Sequence, residues 1–369
     1  MNRLLACAVI GAVLLVPSRA GAYSVLAHES NIDAVWDSHI RPLLRAKYPR
    51  TNDAELTAAR AYAYGGSVIQ DLGYYPFGSK FFTNLLHYVK TGDFVEALLR
   101  DARDVNELAF AIGALCHYAA DTEGHSIAVN RVVPLMYPKL QRKYGDSVPY
   151  DRAPKEHILV EFAFDVLLVA HGGYELQAMH DFIGFEVAKP LLERAFRETY
   201  GLEMKDLFLS EDLAIGTYRH AVAGTIPDVT RIAWEKKQEQ IQKVTPGAIR
   251  DRFVLTVSPG EYDQRYGTEY KKPGFFARMI GVLYKIVPKI GPLRPLSFKV
   301  PNEEAERLFL DSLARTRARY SAELTDLRAG RLRLPNLDFD TGKPITPGEY
   351  ALADKTLAEL HKKVGEQKR

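Results

Sequence analysis

The sequence predicts an all-α protein, a bundle of many helices followed by a partly helical C-terminal extension. Two observations carry this. Apolar residues recur at helical spacing through most of the chain, while the alternating runs that mark half-buried strands are scarce. Chemistry-bearing side chains keep the same period: His117, Asp121 and His125 stand four residues apart, as do His157 and Glu161. The totals suit a globular chain, with 369 residues, 47% hydrophobic and 26% charged. A formal net charge of +3 sets up no global field for nucleic acid, so such a role would need a local patch.

Residues 1–22 read as a secretory signal. Arg3 gives a positive start, Leu4 to Val16 an apolar run, and Ala20-Gly21-Ala22 a small-x-small cleavage pattern. The run is too short to cross a hydrocarbon layer of roughly 30 Å as a helix. Leu4-Leu5-Ala6-Cys7 looks like a lipoprotein box, but it precedes the apolar run instead of following it, which argues against lipidation. The expectation is a periplasmic or secreted protein whose first mature residue is Tyr23. Cleavage would remove Arg3 and Arg19 and leave a near-neutral chain. It would also remove Cys7, leaving Cys116 alone and no internal disulfide.

Ser30 is expected to cap a helix carrying Ile32, Val35, Trp36, Ile40, Leu43 and Leu44, stopped near Pro49. A second helix runs from Asp53 towards Gln70, interrupted or ended by Gly65-Gly66, and 73–79 is a loop. Further helices are expected near 80–90, 93–101, 104–127, 155–170, 186–199 and 209–242. Around 245 the texture changes: Pro246-Gly247, Pro259-Gly260 and Pro273-Gly274 punctuate a weakly periodic stretch. Residues 23–245 therefore read as the main domain and 246–369 as an extension, with charged helices near 303–328 and 348–364.

Inside the extension, 271–302 contains Lys271, Lys272, Arg278, Lys285, Lys289, Arg294 and Lys299 without a single Asp or Glu, interleaved with apolar residues. This stretch either packs on the main domain with its lysines solvated or meets an anionic membrane surface.

The helix near 104–127 carries the chemistry. At 100° per residue, His117, Asp121 and His125 share one face. Phe110, Ile112, Leu115, Cys116, Tyr118, Ala119 and Ala120 make that helix apolar nearly all round, hence buried. Two histidines and a carboxylate buried together require partners or a metal. His157 and Glu161 alone would read as a solvated face.

The run Ala114-Leu115-Cys116-His117-Tyr118-Ala119-Ala120-Asp121-Thr122-Glu123-Gly124-His125 resembles the central helix of zinc-dependent phospholipases C. His157-x-x-x-Glu161 is similar to that family's closing pair, and Asp71 and His87 fall in the order of its remaining ligands. His28 lies five residues after Tyr23, as in the related fungal single-strand nucleases. The resemblance covers roughly residues 23–165 and implies three zinc ions. Asp71, His87, His117 and Asp121 would hold the first, and His125, His157 and Glu161 the second. The amino and carbonyl groups of Tyr23 with His28 would hold the third, Asp121 bridging. So many imidazoles favour zinc over magnesium or calcium. Asp71 is also the candidate to orient or deprotonate a water, a ligand role alone being the alternative.

This sequence departs from the family pattern in three places. The Asp121-to-His125 gap is shorter by about two residues, Tyr23 replaces the usual tryptophan, and Leu72 follows Asp71 where choline-binding members carry a tyrosine. The resemblance implies hydrolysis of a phosphodiester, foremost phospholipase C-type cleavage of a phospholipid. Alternatives are a nuclease, for which Tyr88 after His87 resembles a base-stacking aromatic, and a zinc-binding structural protein without turnover.

Overall fold

The computed structural model describes residues 25–75, 77–170, 185–220, 226–244, 246–254 and 298–367. These residues are mostly helical and contain no strand, only an isolated bridge between Leu337 and Pro344. No helix among them is long and apolar enough to cross a membrane.

In chain order come α1 (Val25–Val35), a π-helical turn (Trp36–Ile40), α2 (Arg41–Lys47), α3 (Asp53–Val68) and a 3-10 turn (Ile69–Tyr74). Next come α4 (Lys80–Tyr88), α5 (Thr91–Asp101), α6 (Val105–Gly124) and a second π turn (His125–Val129). α7 (Asn130–Met136), α8 (Pro138–Tyr144), α9 (Pro154–Ala170) and α10 (Lys189–Tyr200) follow, then α11 (Glu211–His220), α12 (Ile226–Val244) and α13 (Arg250–Phe253). The last two are α14 (Glu303–Arg328) and α15 (Ala351–Gln367).

α6 is the axis of the molecule. Asp104 caps it, accepting from the backbone N–H groups of Asn106 and Glu107, and from Leu108 to Thr122 every residue is buried. α3 starts with a reciprocal capping box between Asn52 and Glu55 and lies along α6 at very short range. A Cβ on Gly113 would sit 2.0 Å from the carbonyl oxygen of Ala63, and one on Gly66 2.0 Å from that of Phe110. Glycine at both positions is what lets the two backbones touch. α14 covers another side of α6, with the Tyr320 hydroxyl donating to the Ile112 carbonyl at 2.9 Å. Tyr320, Leu324, Phe339, Tyr350 and Leu360, all beyond 245, belong to the same apolar core as Phe110 and Leu115 of α6.

Several sequence expectations change. Ser30 does not cap a helix; it lies inside α1, its hydroxyl donating to the Ala27 carbonyl at 2.9 Å. The start of α1 is served instead by Asp165 of α9, whose two oxygens accept from Leu26 N–H and Ala27 N–H at 3.0 Å each. Gly65-Gly66 does not end α3, because the close approach to α6 repays the helix for its glycines. α7 and α8 were not expected from sequence: each is only seven residues long, and α7 carries Pro134. Tyr23 and residues 271–297 lie outside the described residues.

Candidate metal centre

His117 and Asp121 project from α6 one turn apart, both fully buried. The Nδ1 of His117 lies 2.9 Å from the Ser67 carbonyl in the last turn of α3. A carbonyl only accepts, so Nδ1 carries a proton and Nε2 is the ring nitrogen turned inward. His87, at the C-terminal turn of α4, is set the same way, with Nδ1 bonded to the Thr83 carbonyl at 2.9 Å. This is how proteins fix the tautomer of a metal-ligating imidazole.

The two inward nitrogens lie 3.4 Å apart. Asp121 Oδ2 is 3.1 Å from His117 Nε2 and 3.4 Å from His87 Nε2, and Asp71 Oδ1, from the 3-10 turn, is 3.3 Å from His87 Nε2. The other oxygen of Asp121, Oδ1, faces His28 of α1, whose Nε2 is 3.5 Å away and whose ring stacks on His117. Asp121 thus presents one oxygen to each of two neighbouring clusters.

A third cluster stands at the far end of α6. His125 opens the π turn, and π turns are frequent where a helix must re-aim a functional side chain. His157 and Glu161 come from α9. The Nε2 of His157 bonds the Val148 carbonyl at 2.6 Å, which leaves Nδ1 turned towards Glu161 Oε1 at 4.0 Å. The rings of His125 and His157 stack, their centroids 5.9 Å apart.

Three groups can therefore each offer ligand atoms within 4.8 Å of one another: His28, His117 and Asp121; Asp71, His87 and His117; His125, His157 and Glu161. Every ligand expected from sequence joins one of them except Tyr23, which is not among the described residues.

The electrostatics fit a metal. Buried oxygens of Asp71, Asp121 and Glu161, and Nδ1 of His157, make no hydrogen bond. Burial opposes charge on His87, but the carboxylates of Asp121 and Asp71 beside its Nε2 overcome it and push the imidazole up to about 10. Burial likewise opposes charge on His125, yet Asp340 and Asp121 push it up to about 9. Asp121 is held well below the usual carboxylate range: burial works against this, and His117 and His87 prevail. Burial lowers His157 to about 4, so its imidazole is neutral at pH 7. Desolvation raises Glu161 well above an ordinary glutamate. Protons are drawn to the places where a divalent cation would sit, which is the expected behaviour of metal ligands.

A family model described as zinc-dependent phospholipase C matches residues 35–209. Residues 35–209 belong to the zinc-dependent phospholipase C family. The matched stretch takes in Asp71, His87, His117, Asp121, His125, His157 and Glu161, while His28 precedes it. Comparison with curated proteins and with solved structures finds no match. At a coarse level the match supports zinc-dependent hydrolysis with phospholipid as the substrate class.

Sequence reasoning missed two residues at this zinc phospholipase C-like site. Asp165 anchors the start of α1. Asp340 stands 3.3 Å from His125 Nδ1, although it lies 179 positions after Glu161, the last of the expected ligands (340 − 161). Only the second had a local signal, the acidic pair Asp338-Phe339-Asp340 ahead of Thr341-Gly342, and nothing in that signal points to His125.

Proposed function

We propose that this protein hydrolyses the phosphodiester of a phospholipid by phospholipase C-type cleavage, using water activated at a three-zinc centre. Asp71, His87, His117 and Asp121 would hold the first ion, His125, His157 and Glu161 the second. The amino terminus and carbonyl of Tyr23 would hold the third with His28, Asp121 being shared. The observation that carries the reading is the convergence of His87 Nε2, His117 Nε2 and Asp121 Oδ2 in one buried place, all within 3.4 Å. Such groups buried together call for a cation among them, a proton or a metal ion.

Bound zinc supplies a water whose pKa falls towards ~7 and positive charge for the phosphate oxygens. Asp71, with one oxygen beside His87, orients the attacking water through its second oxygen and accepts its proton. The water oxygen forms the new bond to phosphorus as the bond to the glycerol oxygen breaks; the glycerol oxygen takes up the proton that Asp71 accepted, and diacylglycerol and the phosphorylated headgroup leave. Leu72, buried behind Asp71, gives no aromatic wall for a choline group, which favours a different headgroup.

Two features support lipid over nucleic acid. Tyr88 is buried against Tyr350 and beside His87, so its ring is not presented for a base. The acid-free stretch 271–302 contains seven cations among apolar residues, and apart from Lys299, whose amine donates to the Met136 carbonyl, this composition suits an anionic bilayer surface. Export through the 1–22 signal would bring the enzyme to such surfaces and expose the Tyr23 amine.

The test is to assay mature protein on vesicles of phosphatidylethanolamine and phosphatidylcholine and on single-stranded DNA, with and without chelator. Chelator-sensitive release of diacylglycerol is expected. DNA cleavage without lipid hydrolysis would move the assignment to a nuclease, and zinc binding without turnover to a structural role.

A further inference from the structure

Asp340 reaches the centre from outside the matched domain, in the segment between α14 and α15. Its carboxylate is buried, and each oxygen has a separate task. Oδ2 accepts from the Tyr150 backbone N–H at 2.8 Å and from the Tyr350 hydroxyl. Oδ1 makes no hydrogen bond and lies 3.3 Å from His125 Nδ1. Asp340 joins none of the three groups of mutually close ligand atoms.

The backbone around it is fixed at several points. Asn130 Nδ2 donates to the Asp340 carbonyl at 2.6 Å. Asp338 accepts from Thr341 N–H at 2.8 Å and closes the turn. Gly342 takes φ +69°, and a Cβ there would be 2.6 Å from the Thr122 carbonyl, so this turn sits against the end of α6. One residue before Asp340, Phe339 N–H donates to the His87 carbonyl at 3.1 Å, and its ring lies against His87 and His117.

We propose that Asp340 is a positioning residue for His125: it takes the Nδ1 proton on Oδ1 and so aims Nε2 at the zinc held with His157 and Glu161. The inference rests on the zinc-centre reading above. Its physical basis is the pattern already seen at His87, His117 and His157, where a carbonyl holds the outer ring nitrogen. At His125 no carbonyl plays that part among the contacts described, and the shortened Asp121-to-His125 spacing places the ring at a π turn instead of a regular helical one. A carboxylate from the extension fills the role, as carboxylates do behind zinc-bound imidazoles.

The decisive variant is Asp340→Asn, which keeps size and shape. Tyr150 N–H and the Tyr350 hydroxyl both donate, so the amide oxygen must stay where Oδ2 is and the NH2 must face His125. A donor there demands a bare Nδ1 and puts the proton on Nε2, the atom that should bind metal. Zinc bound to intact protein and to the variant is titrated against a chromophoric chelator. The variant is expected to bind one ion ~10–100-fold more weakly while the other ions hold. Tyr350→Phe removes a partner of Oδ2 only and should leave all affinities within a few-fold of wild type.

A second measurement needs no variant. Nitrogen-15 NMR of the wild-type zinc protein should show His125 protonated at Nδ1 and metal-bound through Nε2. Coordination through Nδ1, or unchanged zinc affinity in folded Asp340→Asn, overturns this assignment and leaves the zinc centre standing. Wild-type protein that binds no zinc overturns the centre itself.

Discussion

His117 Nε2 stands 3.1 Å from Asp121 Oδ2, turned there because the other ring nitrogen is tied to the Ser67 carbonyl on the opposite side. An imidazole and a carboxylate are thus locked face to face in a fully buried place. A metal ion between them would satisfy both, and the behaviour of the protein should depend on that ion throughout.

Removal of metal should destabilise the fold as well as stop turnover. Buried acceptors left without partners cost ~1–3 kcal/mol each. Chelation is expected to lower the melting temperature and abolish hydrolysis, with zinc restoring both. A chelated protein melting at the holo temperature refutes the structural half of this expectation.

Zinc uptake should release protons. His87 at about 10 and His125 at about 9 are both charged at pH 7 before metal arrives, so zinc must displace a proton from each. Affinity should therefore rise from pH 6 to pH 9. For metal-free protein the sign is the reverse. Both imidazoles are raised above the ordinary ~6.5, so their stabilisation is complete below that value and is lost as pH climbs through about 9 and 10. Calorimetric titration at pH 7 in buffers of different ionisation enthalpy reads the protons directly. Identical heats in all buffers would count against the assignment.

The start of the mature chain should govern the third ion. Asp165 holds the Leu26 and Ala27 N–H groups, which fixes the backbone just downstream of Tyr23. Protein beginning at Tyr23 is expected to bind three zinc ions. One added residue ahead of Tyr23 should lower the count and slow turnover, and Asp165→Ala should weaken the third ion ~10-fold, a loss of about 1.4 kcal/mol. Equal zinc content by elemental analysis in all three proteins rules this out.

Gly113→Ala should damage the centre without touching it. The new Cβ would lie 2.0 Å from the Ala63 carbonyl, so α3 must retreat from α6 and carry the Ser67 carbonyl away from His117. A loss of ~1–3 kcal/mol in stability is expected, with weaker zinc binding. Gly365→Ala meets nothing within 4 Å, lies in the helix α15, and should be neutral or stabilising by up to ~1 kcal/mol. Thermal melts of the two variants side by side provide the check.

The basic stretch should carry bilayer attachment if it carries anything. Changing Lys271, Lys272, Arg278, Lys285 and Lys289 to Gln should reduce sedimentation with anionic vesicles while leaving hydrolysis of a soluble short-chain substrate unchanged. Equal sedimentation of both proteins at low salt removes the stretch as a membrane contact.

The helical character and the main ligand set were legible because both have a short period. His117 and Asp121 on an otherwise apolar helix advertise burial, and burial of such groups advertises metal. Asp71 and His87 could be placed only by the order in which a known family uses its ligands. Asp165 and Asp340 were beyond reach for a different reason: each works through a contact between residues 138 or more apart in sequence, and a lone aspartate in a charged neighbourhood looks like any surface aspartate. Ser30 misled because a serine ahead of an apolar run is a sound cap signal, and only the reach of Asp165 to Leu26 moves the helix start upstream.

The turn at Asp338–Gly342 also ties the centre to the order in which the chain is made. Every side chain in the three ligand groups has been synthesised by Glu161, yet the carboxylate behind His125 arrives only with Asp340. A polypeptide cut short ahead of α14 would carry every side chain of the three ligand groups, yet lack the Tyr320 and Phe339 packing of the α6 core along with the carboxylate behind His125. The ligand groups would then exist without the walls that hold them in place.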